Sequence, residues 1–438
     1  MSGAEAGIGT AVRARPDAAA LLLACRDCGL LHRAATQRLA RHRISCARCG
    51  AALLRLPPGG FDTPLAIAAA AAILLVVANA WPIFIVNFQG SQSANLLIDG
   101  AVSLARYGGG LAALGFYVAM LSIAVPALRV VLILAVLAGL RFGGRTRFVG
   151  FGPPRPWLAA AWKAAVALRP WAMLDVYLLG AFVAYSRLHN YVDTTVGVGG
   201  YALAAFVIVD ALLLLSLGRG RVWDALTDPA AYAPKPGEPW VRCPDCDLVA
   251  PADPASAAAP PCPRCGARLE PRHRTGLAVA AAVSTAALVL YLPANLLPVM
   301  TLIWFGSTDT NTILSGVGEL IDLGMWPLAL LVFFASIVVP LVKLATIGWF
   351  LLAIRRGSAT LLRQRTSLYR LIDFVGRWSN IDVFMISILV PLMQFGTLTT
   401  VDPEIGAVSF AAVVALTMVA TRAFDPRLMW DAAAETAG

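Results

Sequence analysis

All eight cysteines of the chain stand in C-x2-C pairs, Cys25/Cys28 with Cys46/Cys49 and Cys243/Cys246 with Cys262/Cys265, and none is left over. Within the two sets the pairs are separated by 17 and 15 residues. That is the spacing of a zinc ribbon, in which each knuckle gives two thiolates to one tetrahedral Zn2+. Pro244, Pro263, Gly29, Gly50 and Gly266 suit the tight turns that bring backbone amides to the sulfurs. Four thiolates fill such a site and leave no place for a catalytic water, so two structural zinc ions and no zinc chemistry are expected. A thioredoxin-like redox pair would need a C-x2-C at a helix start in a βαβ unit, and no such context is visible.

The other residues with chemical potential are ionisable side chains inside apolar runs. A charge at mid-bilayer costs on the order of 3 kcal/mol or more, so each requires an account. Arg129 and Lys343 lie about a dozen residues from the basic ends of their runs, roughly 18 Å at 1.5 Å per residue, too deep for easy snorkelling. Asp175 and Asp382 open two further runs, and Asp210 is deep in another. Arg187 lies close to the opposite end of its run, where its head can reach the interface. Ser122 and Arg129, like Ser336 and Lys343, are seven residues apart and share a helix face. Two polar clusters are expected to face the bundle interior: Ser122/Arg129/Asp175/Asp210 and Ser336/Lys343/Asp382/Thr417. Pro126 and Pro340 should break the helix ladder just before each basic residue. A buried Lys–Asp pair can exchange protons as its hydration changes, or can simply tie helices together. Arginine effectively cannot deprotonate whereas a desolvated lysine can, so the half with Lys343 is expected to be the working one.

The elements that must position these residues are membrane spans. The chain is 59% hydrophobic and 14% charged, unlike a soluble globular domain. Eight stretches approach or exceed the ~20 residues that cross a bilayer: Thr63–Val86, Leu111–Leu140, Trp171–Leu188, Gly199–Leu217, Thr275–Met300, Trp326–Ile354, Asn380–Phe395 and Gly406–Ala423. Basic residues concentrate in the N-terminal tail, 141–169, 219–274 and 355–377, whereas the alternate loops hold Arg106 alone. The positive-inside rule then places both termini and both cysteine modules in the cytoplasm, where disulfides are not expected. The formal charge of +10 follows from this topology and from anionic head groups, and calls for no nucleic-acid partner. The first ten residues lack a signal peptide's basic and apolar regions.

The chain is also written twice. NAWPIF at Asn79–Phe84 matches NLLPVM at Asn295–Met300, and Gly100, Leu104 and Gly108 match Gly316, Leu320 and Gly324. SIAVPALR at Ser122–Arg129 matches SIVVPLVK at Ser336–Lys343, and WAMLDVY at Trp171–Tyr177 matches WSNIDVF at Trp378–Phe384. The two outer segments read either as short helices on the membrane surface or as solvated loops. Because four spans is an even number, the halves are parallel repeats, which excludes an inverted-repeat transporter. The expected domains are 1–60 (tail and first ribbon), 61–220 (four spans), 221–272 (second ribbon), 273–430 (four spans) and a tail at 431–438.

With these residues in hand, the chain resembles the paraquat-inducible protein A family over nearly its whole length. The signature is two four-cysteine modules, each before a four-span unit with N-x2-P ending its first span and P-x2-[RK] in its second. The resemblance implies an all-α polytopic bacterial inner-membrane protein of two tetraspanin-like four-helix bundles. It also implies a partner with MCE domains that forms a tunnel across the periplasm, and movement of phospholipid or other lipophilic molecules between the membranes. On that likeness the surroundings of Lys343 and Asp382 are where energy is coupled. No G-x4-G-K-[ST] is present, so ATP is not expected to be the direct energy source, and a proton gradient is one that could serve. The competing readings are a non-transporting scaffold whose ribbons recruit cytoplasmic proteins, and a membrane thiol oxidoreductase. His32, His42, His189 and His273 all lie in loops or modules, against a haem in the membrane, and no enzymatic activity is expected.

Overall fold

The computed structural model describes residues 20–35, 44–54, 60–88, 91–142, 156–189, 192–227, 232, 234–235, 237–253, 259–270, 272, 274–304, 307–394 and 399–436. The expected N-terminal tail up to residue 19, together with His42 and His273, lies outside them. The first ribbon is two small hairpins, β1 (Ala20–Ala24) with β2 (Leu31–Ala35) and β3 (Ile44–Ser45) with β4 (Ala52–Leu54). After it come α1 (Asp62–Ala80), β5 (Phe84–Phe88), β6 (Ser91–Asn95), α2 (Asp99–Arg106), α3 (Gly109–Ala119), α4 (Val125–Phe142), α5 (Pro156–Leu168), α6 (Leu174–Leu188), β7 (Asp193–Val196) and α7 (Val198–Ser216). A short helix, α8 (Arg219–Leu226), leads to the second ribbon, with β8 (Trp240–Arg242) and β9 (Val249–Pro251).

The same order then recurs: α9 (Arg274–Leu296), β10 (Met300–Trp304), β11 (Ser307–Asn311), α10 (Ile313–Asp322), α11 (Trp326–Phe333), α12 (Val339–Arg355), α13 (Leu362–Val375), α14 (Ile381–Leu392), β12 (Thr399–Pro403), α15 (Ile405–Ala423) and the terminal α16 (Arg427–Glu435). Among the described residues, eight helical segments are long and apolar enough to cross a membrane: Asp62–Ala80, Gly109–Phe142, Trp157–Leu188, Val198–Ser216, Thr275–Leu296, Trp326–Arg355, Leu362–Leu392 and Ile405–Ala423.

Several boundaries differ from expectation. The first and fifth helices stop at Ala80 and Leu296, because the N-x2-P segments turn the chain out into strands. There β5 pairs with β6 and β7, and β10 with β11 and β12, giving two three-stranded antiparallel sheets that apolar periodicity alone had concealed. The third and seventh spans begin far earlier than expected, since α5 and α13 occupy half of what composition marked as basic loops. The prolines act through π-helical turns at Met120–Ala124 and Phe334–Val338, just before Pro126 and Pro340. One extra residue per turn absorbs the missing donor and the bulk of the ring. The expected tail at 431–438 is in its first part the end of α16, and α8 lies at the expected start of the second ribbon.

Of the two readings of the outer segments, the helix holds. Both α2 and α10 are amphipathic, bury Leu104 and Leu320, and are followed by Gly108 and Gly324, whose φ of +74 and +75 favours glycine. They join the bundle. Gly100 lies so close to α14 that a Cβ there would come within 2.3 Å of the Ser387 carbonyl oxygen. Gly100→Val should therefore push α2 off α14 at a cost of about 1–3 kcal/mol, seen as a lowered melting temperature in detergent, whereas Gly318→Ala, which meets open space inside α10, should leave it unchanged or slightly raised.

Helices α6 and α14 cross at the centre, with Gly180 permitting close approach to Ile381 and Phe384. Nearly every residue of α14 is buried, and its span is the most enclosed of those among the described residues. In the last connection, Arg427 gives four hydrogen bonds to Asp425, three of them from its guanidinium, and both residues are buried. Burial alone would raise the Asp425 carboxyl, but Arg427 outweighs it and holds it below the ordinary carboxylate value. A depressed folded pKa contributes stability above the unfolded value near ~4, lost as pH falls through the folded value. Asp425→Ala, which strands a buried guanidinium, should cost about 3 kcal/mol at pH 7. The gap to wild type should narrow in melts taken below pH 4.

Candidate functional site

In each four-cysteine group all sulfurs lie within 4.8 Å of one another. The nearest pairs are 3.5 Å for Cys25–Cys49 and Cys28–Cys46, 3.5 Å for Cys243–Cys265 and 3.7 Å for Cys246–Cys262. A tetrahedron with 2.3 Å Zn–S bonds has edges of about 3.8 Å. Each knuckle closes with the same backbone bond, from the first cysteine's amide to the carbonyl five residues on, as in Cys25 to Leu30 and Cys243 to Leu248. Hydrogen bonding within each group draws the Cys25 and Cys243 thiols down and pushes their partners Cys28 and Cys246 up. These residues fit Zn2+, and both groups are arranged as sequence spacing suggested. His32 Nε2 also lies 3.3 Å from Cys46 Sγ.

Each knuckle ends on a residue with positive φ: Gly29, Gly50, Gly266 and, exceptionally, Asp247 at +63°. Where the other three have glycine, Asp247 carries a carboxylate that pairs with Arg242 of its own ribbon and Arg26 of the other. The ribbons are thus tied to each other, and each is docked crosswise. The first packs on α13 and α16: Arg370 donates to Asp27 at 3.0 Å and to the Cys49 carbonyl, and Arg48 lies 4.3 Å over the Trp430 ring. Burial pushes the Asp27 carboxyl up although Arg370 opposes it. The second packs on α5 and α8, through Trp162, Val222 and Trp223 and the ion pairs Lys163–Asp245 (2.7 Å) and Arg264–Asp224 (2.6 Å).

Within the membrane the two expected clusters are only partly assembled. In the first half Arg129 Nη1 donates to both oxygens of Asp210 at 2.9 and 3.0 Å. Asp175 does not join that pair: Arg377 of the other half takes it at 2.5 Å. Ser122 gives its proton to the Val118 carbonyl, the local back-bond open to a helical serine. In the second half Lys343, 1% exposed, donates to the Gly376 carbonyl at 2.9 Å and the Thr417 hydroxyl at 3.2 Å. The expected pairing with Asp382 is not formed, because the 3-10 turn Gly376–Asn380 presents a carbonyl to the ammonium first. Asp382 Oδ1 and Ser336 Oγ are buried without a hydrogen-bond partner among the described residues.

Arg187, expected to snorkel, is instead buried and donates to the Gly316 carbonyl of α10 at 2.7 Å, since the second half covers its end of α6. Beside it lies a cavity of about 240 Å3 with Leu302, Leu389, Met393 and Val401 on its walls. Sequence reasoning also passed over Gly376 and Asn380. Tyr117 of the first half donates to Asn380 Oδ1 at 2.8 Å, and a Cβ on Gly376 would lie 2.2 Å from Lys343 Cε. A signal was present for Asn380, a polar residue where the first copy of the repeat has Met173.

Comparison with known proteins accords with this architecture. The paraquat-inducible protein A family model matches twice, over residues 61–227 and 277–434. "Intermembrane transport protein PqiA" of Escherichia coli (strain K12) is 32% identical over 423 residues, covering 94% of this chain and 96% of that protein. "Lipophilic envelope-spanning tunnel protein A" of the same organism is 34% identical over 265 residues, 60% of this chain and 61% of its own. The "Probable intermembrane transport protein" of Haemophilus influenzae is 27% identical over 268 residues, 60% and 64% of the two chains. No solved structure matches. With eight apolar helices and a double match to one family model, the chain is a multi-pass bacterial membrane protein and belongs to the paraquat-inducible protein A family.

Proposed function

We propose that this protein is the inner-membrane subunit of an envelope lipid-transport system, handling phospholipid or other lipophilic molecules with a periplasmic MCE-domain tunnel protein. The names of the relatives, intermembrane transport and lipophilic envelope-spanning tunnel, support movement of a lipophilic cargo across the envelope. The observation that carries the mechanism is Lys343. Its ammonium is buried in a span, held by a carbonyl and a hydroxyl, with no ion pair among the described residues. A lysine so placed is costly to keep charged and cheap to neutralise, which suits a group that gains and loses a proton during a transport cycle. In this reading Ser336, Lys343, Asp382 and Thr417 form the coupling region. Ser122, Arg129, Asp175 and Asp210 are its first-half equivalents, with arginine fixing the charge.

The cavity beside Leu389 and Met393, whose walls also carry Arg187, Asp309, Asn311 and Glu319, offers its apolar part to a segment of an acyl chain. The chain divides into ribbon (1–60), four spans (61–220), ribbon (221–272), four spans (273–430) and tail (431–438), as two parallel tetraspanin-like bundles. Both termini and both ribbons, each with one structural Zn2+ on its four cysteines, lie in the cytoplasm, consistent with the Lys/Arg asymmetry of the loops. The protein has no enzymatic role in this scheme.

The test is mass spectrometry of tagged protein purified from native membranes in mild detergent. Recovery of an MCE-domain protein, phospholipid and two zinc ions per chain is expected. Zinc with neither lipid nor a periplasmic partner would turn the reading to a scaffold, and oxidised cysteines without zinc to a thiol oxidoreductase.

A further inference from the structure

A second cavity, of about 130 Å3, lies between the first half and the turn that opens α14. Five charged side chains line it: Arg129 from α4, Arg169 from the turn before α6, Asp175 from α6, Asp210 from α7 and Arg377 from the turn before α14. Asp210 neutralises Arg129 and Asp175 neutralises Arg377. Both carboxylates are then used. Arg169, exposed at the cavity, makes no hydrogen bond or ion pair among the described residues, and Arg377 Nε is buried without a hydrogen-bond partner among them. Three guanidiniums against two carboxylates leave one positive charge, with unused donors, beside the apolar wall that Phe206 helps to form.

A surplus guanidinium lining a cavity with unused donors is compensated by water or by an anion. The planar fork of a guanidinium matches the oxygens of a phosphate. A phosphodiester carries one negative charge, equal to the surplus. The volume corresponds to about four waters at ~30 Å3 each, enough for a phosphate group and too little for a whole lipid, so anything attached to that group must leave through the mouth.

We propose that this cavity seats one phosphate group, supplied by the head group of a membrane phospholipid or by free phosphate, with Arg169 and Arg377 as its donors. The proposal deepens the transport reading, and rests on it only for the choice of lipid as a source.

The test uses the full-length protein, delipidated in detergent, in native mass spectrometry titrations with dioctanoyl phosphatidylglycerol and, separately, inorganic phosphate. Wild type should bind one equivalent. Arg169→Gln, which removes a charge-assisted bond, should weaken binding by roughly tenfold or more. Asp175→Asn releases Arg377 and raises the charge of the cavity, so it should leave binding unchanged or tighter. Tight binding of the lipid with weak competition by inorganic phosphate would assign the seat to head groups, and equal binding of both would assign it to the phosphate group alone. Binding unchanged by Arg169→Gln, or weakened as much by Asp175→Asn, would overturn the proposal. Because binding and transport are measured apart, that result would leave the role of Lys343 standing, and a transport failure would leave this site standing.

Discussion

Lys343→Met should reduce lipid transport by at least tenfold while the protein remains folded and its melting temperature changes little. The methionine fills most of the volume of the lysine and removes the charge, leaving the Gly376 carbonyl and the Thr417 hydroxyl without their donor. Thr417 retains its bond to the Val414 carbonyl. Loss of a buried charge held by two neutral acceptors is therefore not expected to unfold a span whose surroundings are apolar. Gly376→Ala approaches the same site from the other side. Its Cβ would overlap Lys343 Cε and Nζ, at 2.2 and 2.6 Å, and force the ammonium out of its seat without changing its charge. If the seat is what matters, both variants lose transport. If only the charge matters, Gly376→Ala stays active. Transport measured between vesicles in the presence of the periplasmic partner separates these outcomes. Arg129→Ala is expected to act differently, through folding, because it strands Asp210 at a buried pair. Equal loss of transport in Arg129→Ala and Lys343→Met, with both proteins equally stable, would show that the halves do not differ in role.

Removing one metal should destabilise the opposite half of the molecule. A structural Zn2+ contributes on the order of 10 kcal/mol or more to a small four-ligand module, which outweighs what a few short hairpins can supply. Cys25→Ser or Cys49→Ser is expected to lower zinc from two to one per chain and to unfold the first ribbon. Because that ribbon rests on α13 and α16 through Arg370 and Trp430, hydrogen exchange should rise in residues 362–375 and 427–435, far away in sequence. Cys243→Ser should instead raise exchange in α5 and α8, where Trp162 and Trp223 lose their cover. An increase confined to the mutated ribbon in both cases would mean that the docking contacts carry no stability.

Features that depend on residue type at fixed local spacing were legible before any fold was known. The C-x2-C knuckles recur at an interval that suits a ribbon, the apolar runs have bilayer length, and the repeat announces itself in short strings such as SIAVPALR and SIVVPLVK. Sequence also marked Arg129, Lys343, Asp175, Asp382 and Asp210 as charges in need of partners, because the cost of burial belongs to the side chain alone.

Which partner each receives was decided by tertiary structure. Asp175 goes to Arg377 across the halves, Lys343 takes a backbone carbonyl that no pattern of side chains can announce, and Arg187 is covered by a helix from the other repeat. The strands beside the N-x2-P turns, the crosswise docking of the ribbons and the enclosure of α14 arise in the same way. These depend largely on contacts between residues far apart in the chain, 33 positions for Lys343 and Gly376 and 129 for Arg187 and Gly316, where hydrophobic period and local spacing carry no information, and where a glycine such as Gly100 or Gly376 matters for the space it leaves to a neighbour on another element.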